Sequence, residues 1–111
     1  MPDAKLFICT IQLTHPAILT EGPTPEEERI IDQHFNFLKS LTDQGIALLV
    51  GRTLNTDPST FGITILRAES MKQAKEILER DPGLQSGIWH AKFYPFRIAL
   101  LGPIQQAITE N

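Results

Sequence analysis

The chain has 111 residues, 41% of them hydrophobic and 21% charged, and its 10 basic and 13 acidic residues leave a net charge of −3. That describes one soluble domain over residues 1–111, built around a single hydrophobic core. The charge offers no basic patch to nucleic acid or an anionic membrane, no apolar stretch approaches the length of a bilayer span, and the single cysteine, Cys9, excludes an internal disulfide and a cysteine metal cage. The lone thiol, and a start without the apolar block of a signal peptide, lead to the expectation of a reducing, cytoplasmic location.

Lys5 to Thr14 is predicted to be a strand, because Phe7, Cys9, Ile11 and Leu13 alternate with a more mixed set. His15 to Pro23, with two prolines and a glycine, is predicted to be a loop. Thr24-Pro25-Glu26-Glu27 opens a helix: Thr24 can cap it, Pro25 suits the first position and Glu27 completes a capping box. Three consecutive glutamates complement the positive end of the helix dipole. This helix is expected to run to about Asp43, stopped by Gly45, with Ile30, His34, Phe37, Leu38 and Leu41 on its inner stripe.

Ile46 to Leu54 and Phe61 to Arg67 are predicted strands, joined across the turn formers Asn55-Thr56-Asp57-Pro58-Ser59. Ser70-Met71-Lys72-Gln73 is a second capping-box match. It opens a helix with Ala74, Ile77 and Leu78 inward, ended near Arg80 by Asp81-Pro82-Gly83. Ile88 to Leu100 is the last predicted strand, interrupted or bent at Pro95, and Ile104 to Glu110 a final short helix.

The order β-α-β-β-α-β specifies an α+β, ferredoxin-like sandwich. Its sheet is antiparallel, and right-handed crossovers place both helices on one face. The other face is left uncovered, with Leu6, Ile8, Leu66, Ile88 and Tyr94 assigned to it. An apolar face of that extent calls for a partner, and a homodimer with facing sheets is the expectation.

His34 on the first helix, Gly45, the strand ending in Gly51, Asp81-Pro82, Gly87, and the run from His90 through Pro95-Phe96 follow one another in an order that resembles the YCII-related family of the dimeric α/β-barrel superfamily. The resemblance spans Lys5 to about Ile98. It implies a ferredoxin-like fold, a dimer and an active site containing a His–Asp pair, which it carries onto His34 and Asp81. Some relatives resemble enzymes acting on chlorinated or hydroxylated aromatic rings, and others occur fused to regulatory proteins, so the resemblance names no substrate. The loop from His15 to Pro23 is longer than in the short members and reshapes the mouth of any pocket.

The residues themselves allow two readings at each position. His34 is either a histidine tucked against the core or a general acid–base poised near neutral pH. Asp81 either ends a helix or fixes the imidazole tautomer, as the orienting carboxylate of a triad does. No serine in a strained glycine elbow accompanies them, so proton transfer of the isomerase or lyase type fits better than acyl transfer. His90, Lys92 and Tyr94 share one face of the last strand, opposite Trp89, Ala91 and Phe93. They are either a solvated or dimer-lining face or the polar lining of a cleft between subunits. Arg52 or Lys92 is a candidate to hold an anionic group.

The histidines at 15, 34 and 90 lack the short spacing of a zinc site, and no glycine-rich phosphate or dinucleotide loop is present. Neither a metal nor a cofactor is therefore expected. The expected partners are a small-molecule ligand and a second copy of the chain. The expectation for function is a small enzyme using His34 and Asp81 on a hydroxylated or cyclic metabolite, with Arg52, His90 and Tyr94 binding the substrate. The alternative is a ligand-binding or regulatory dimer module without catalysis.

Overall fold

A computed structural model describes residues 5–104. In chain order these form β1 (Lys5–Leu13), α1 (Ala17–Glu21), α2 (Pro25–Asp43), β2 (Ala47–Arg52), β3 (Gly62–Ala68), α3 (Met71–Leu78), α4 (Pro82–Gln85) and β4 (Trp89–Phe96). The strands make one antiparallel sheet in the order β2-β3-β1-β4. This is the expected ferredoxin-like arrangement with two additions, α1 and α4, each short. The expected helix from Ile104 to Glu110 lies outside the described residues beyond its first position.

Helix α2 has the bounds that its caps dictate. The Thr24 hydroxyl accepts from the Glu27 amide at 3.1 Å, and the Glu27 carboxylate accepts from the Thr24 amide at 2.9 Å. At the other end Gly45 takes a positive φ of 76°. The Ile46 amide then donates to the Leu41 carbonyl and the Gly45 amide to the Thr42 carbonyl, the paired bonds of a Schellman stop. Ser70 caps α3 by accepting from the Gln73 amide. The Gln73 side chain, however, accepts from Glu69 and not from Ser70, so this box is displaced by one residue.

Phe7 and Cys9 of β1, Leu66 of β3, Leu38 and Leu41 of α2, and Ala74 and Leu78 of α3 form the core. The strand register decides which side chains join it. Leu66 is paired with Phe7 and shares its face, so it is fully buried under the helices and does not belong to the open face. Ile63 and Ile65 stand on the open face instead, beside Leu6 and Ile8. Ile88 precedes β4 in a turn. Pro95 neither interrupts nor ends β4, which is an edge strand and therefore tolerates a residue without an amide hydrogen. The segment from His15 to Pro23 is not a plain loop: Pro16 starts and Gly22, at φ 77°, ends the one-turn helix α1.

Candidate active site

His34 lies midway along α2, on the stripe that faces the sheet. Asp81 closes the chain segment leaving α3 and caps α4. The packing of α4 between α2 and β4 brings the two side chains together across 47 residues of sequence, with His34 Nδ1 2.6 Å from Asp81 Oδ2. Both are withdrawn from water, their side chains 14% and 4% exposed. The other carboxylate oxygen, Oδ1, accepts from the Gly83 amide at 3.0 Å. Asp81 is thereby held from both sides, once by its own cap and once by the imidazole.

This geometry sets the roles of the two ring nitrogens. An ionised carboxylate is only an acceptor, so Nδ1 carries the hydrogen and donates. In the neutral ring Nε2 is then the basic nitrogen. It makes no hydrogen bond among the described residues, where no buried side-chain nitrogen or oxygen is left unpaired. Nε2 is therefore within reach of solvent, and His34 is one of the residues lining a cavity of about 430 Å³.

Trp89, the first residue of β4, stacks on the imidazole with ring centroids 4.4 Å apart and planes tilted by 31°. Gly83 allows this approach. A Cβ built there would stand 2.5 Å from two Trp89 ring atoms and 3.3 Å from His34 Nδ1. Gly83 and Trp89 are thus positioning residues that the sequence did not reveal. The available signal was a glycine directly after Asp81-Pro82 and the only tryptophan of the chain on the inward face of its strand.

The cavity lies between α2 and the end of the sheet formed by Ile11, Leu13 and Trp89. Ile31 and Leu38 of α2 and Val50 of β2 continue its apolar wall, and Ile18 and Leu19 of α1 complete it. Arg52 is its cationic residue, and among the described residues its side chain makes no ion pair or hydrogen bond. Pairing with Gly62 turns Arg52 to the helix-covered side, where His34 is.

His90 and Tyr94 are not part of this site. They pair with Gln12 and Ile8 of β1 and so project from the opposite face of the sheet, whereas Trp89, Ala91 and Phe93 point toward the helices. Strand alternation separates them from His34 by the thickness of the sheet, so they stand on the open face and not at the His34 cavity. Cys9 lies beneath the site. Burial, reinforced by the nearby Asp81 charge, pushes its thiol up to about 12.

The four-stranded antiparallel sheet, its order and its helix-covered face define an α+β protein of ferredoxin-like fold. More narrowly, the chain belongs to the YCII-related domain family, whose model matches residues 6–95. Comparison with curated proteins gives no match. Among solved structures, the chain is similar to 5-chloro-2-hydroxyhydroquinone dehydrochlorinase from Burkholderia phenoliruptrix AC1100, in complex with 2,5-dihydroxybenzoquinone. The TM-score is 0.61 at 19% identity, over 83% of this chain and 93% of that one. It is also similar to an uncharacterized protein from Thermotoga maritima, with a TM-score of 0.54 at 15% identity, over 85% of this chain and 99% of that one. At these identities the likeness is one of fold.

Proposed function

We propose that the protein is a cofactor-independent enzyme of the isomerase or lyase type that moves a proton on a small hydroxylated or cyclic metabolite. One observation carries the reading: the His34–Asp81 pair is largely withdrawn from water, and its imidazole residue lines an apolar cavity. Asp81 holds the tautomer and stabilises the imidazolium that forms when Nε2 accepts a proton. Trp89 and Gly83 fix the ring in place. An engineered cavity of about 150 Å³ holds benzene, so a cavity of about 430 Å³ accepts a substituted ring. The Arg52 guanidinium receives an anionic oxygen of the ligand. The hydroxylated ring bound by the similar dehydrochlorinase is a ligand of this description.

The open face, with Leu6, Ile8, Ile63 and Ile65 half-buried and Tyr94 48% exposed, supports a homodimer with facing sheets. In it His90 and Tyr94 serve the interface. A dimer mass by light scattering is expected at micromolar concentration, and a monomer would count against it. The single free cysteine fits a cytoplasmic location. No helix of the described residues is long and apolar enough to cross a membrane.

The test of the activity is exchange of carbon-bound hydrogen for deuterium. Hydroxylated benzoquinones and cyclic hydroxyketones are incubated with the protein in deuterated water and followed by NMR. The parent is expected to exchange a hydrogen next to a carbonyl, and His34→Ala to bind the same compound without exchange. Binding by both with exchange by neither would replace catalysis with ligand binding alone.

A further inference from the structure

Helix α1 has unusual support for its position. Its five residues are too few to hold a helix in water by themselves. No side chain caps it and none of its residues is buried. Its hydrogen bonds are local: the Leu19 amide to the Pro16 carbonyl, the Gly22 amide to the Ile18 carbonyl, and the Thr20 hydroxyl to the Ala17 carbonyl. Among the described residues no hydrogen bond ties residues 15–23 to another element. The last fixed point before it is the Thr14 amide on the Ile88 carbonyl, and the next is the Thr24 cap of α2.

What α1 does offer the fold is two aliphatic side chains. Ile18 and Leu19 are half-buried, and both line the cavity that His34, Trp89 and Arg52 also line. Their apolar partners therefore stand partly across empty space. Pro16 and Gly22, the latter at φ 77° with nothing within 4 Å of a Cβ built on it, bound the segment.

We infer that α1 is a lid over the ligand cavity, and that Ile18 and Leu19 are its specificity-determining contacts. In the open state α1 swings off the wall and admits ligand. In the closed state the two side chains meet the apolar body of the ligand, exclude water from His34 and complete an enclosure that the rigid fold leaves unfinished. Ligands with an apolar edge toward α1 are selected, because a polar group there would lose its water without gaining a partner. The inference rests on the cavity being the ligand site proposed above. Its test uses no ligand, so it can fail while the catalytic reading stands.

Thr64 lies on the cavity wall and is 7% exposed. In Thr64→Cys the rate of modification by methyl methanethiosulfonate measures how often the cavity opens. The natural Cys9, buried in the core and outside the cavity lining, reports global opening in the same sample, and peptide mass mapping resolves the two thiols. Half-burial of two aliphatic side chains favours the closed lid by a factor on the order of 30. Adding Ile18→Ser and Leu19→Ser is expected to speed modification at position 64 by about that factor and to leave Cys9 unchanged. An unchanged rate at position 64, or an equal rise at Cys9, overturns the lid. Ile31→Cys, on the α2 side of the same cavity, gives the same reading if Thr64→Cys does not fold.

Discussion

Replacing Gly83 by alanine adds one methyl group at the point where α4, α2 and β4 converge. The new Cβ would lie 2.5 Å from two ring atoms of Trp89, against an ordinary contact that begins at 3.4 Å, so the indole must retreat by about 0.9 Å. It cannot do so alone, because His34 is stacked on it and is itself bonded to Asp81. Backbone, indole and imidazole must shift together. Overpacking of this kind costs about 1–3 kcal/mol. At about 2 kcal/mol the melting temperature should fall on the order of 10 °C for a domain of this size. Trp89 is the only tryptophan, so fluorescence reads the site directly. The emission of Gly83→Ala should move to longer wavelength in the folded state as the ring meets water. Gly51→Ala, at a position with nothing within 4 Å and no positive φ, is the control and should leave both readouts in place. Parent-like stability and emission in Gly83→Ala would refute the argument that the close approach of Gly83 positions the Trp89–His34 stack.

Other outcomes follow from the same contacts. Thr24→Ala removes the capping box of α2 and should cost about 1 kcal/mol in denaturant unfolding. Asp81→Ala leaves both the Gly83 amide and His34 without their partner and should cost more, about 2–4 kcal/mol, with Asp81→Asn milder. The Cys9 thiol should resist alkylation in the folded protein at pH 8. Because the thiol is raised from 9.0 to about 12 in the folded state, the unfolded chain gives up this proton first. Stability should therefore be unaffected by this group below pH 9 and fall as pH rises from about 9 to 12. Urea midpoints measured against pH, with Cys9→Ala as reference, isolate this contribution.

What could be read without coordinates was what local chemistry controls. Thr24, Pro25, Glu27 and Gly45 bound α2 to the residue, since caps act within one turn. The βαββαβ order follows from the alternation of periods 2 and 3.6 along the chain. The failures are positions where long-range register decides. The face of Leu66 is one of them, because a shift of one residue in strand pairing reverses every side chain, and its pairing with Phe7 puts it under the helices and not on the open face. Helix α1 escaped notice because five residues between a proline and a glycine leave no periodic signal. The meeting of His34 and Asp81 depends on α4, a four-residue helix whose packing no local pattern announces.

The central claim is that Asp81 holds His34 with Nε2 free to take a proton at the cavity. Long-range proton–nitrogen NMR correlations of the His34 ring, recorded with the imidazole neutral in the parent and in Asp81→Asn, test it most directly. The account predicts hydrogen on Nδ1 and an unprotonated Nε2 in the parent, with this preference lost when the Asp81 charge is removed. Hydrogen on Nε2 in the parent, or the same spectrum in both proteins, would contradict it.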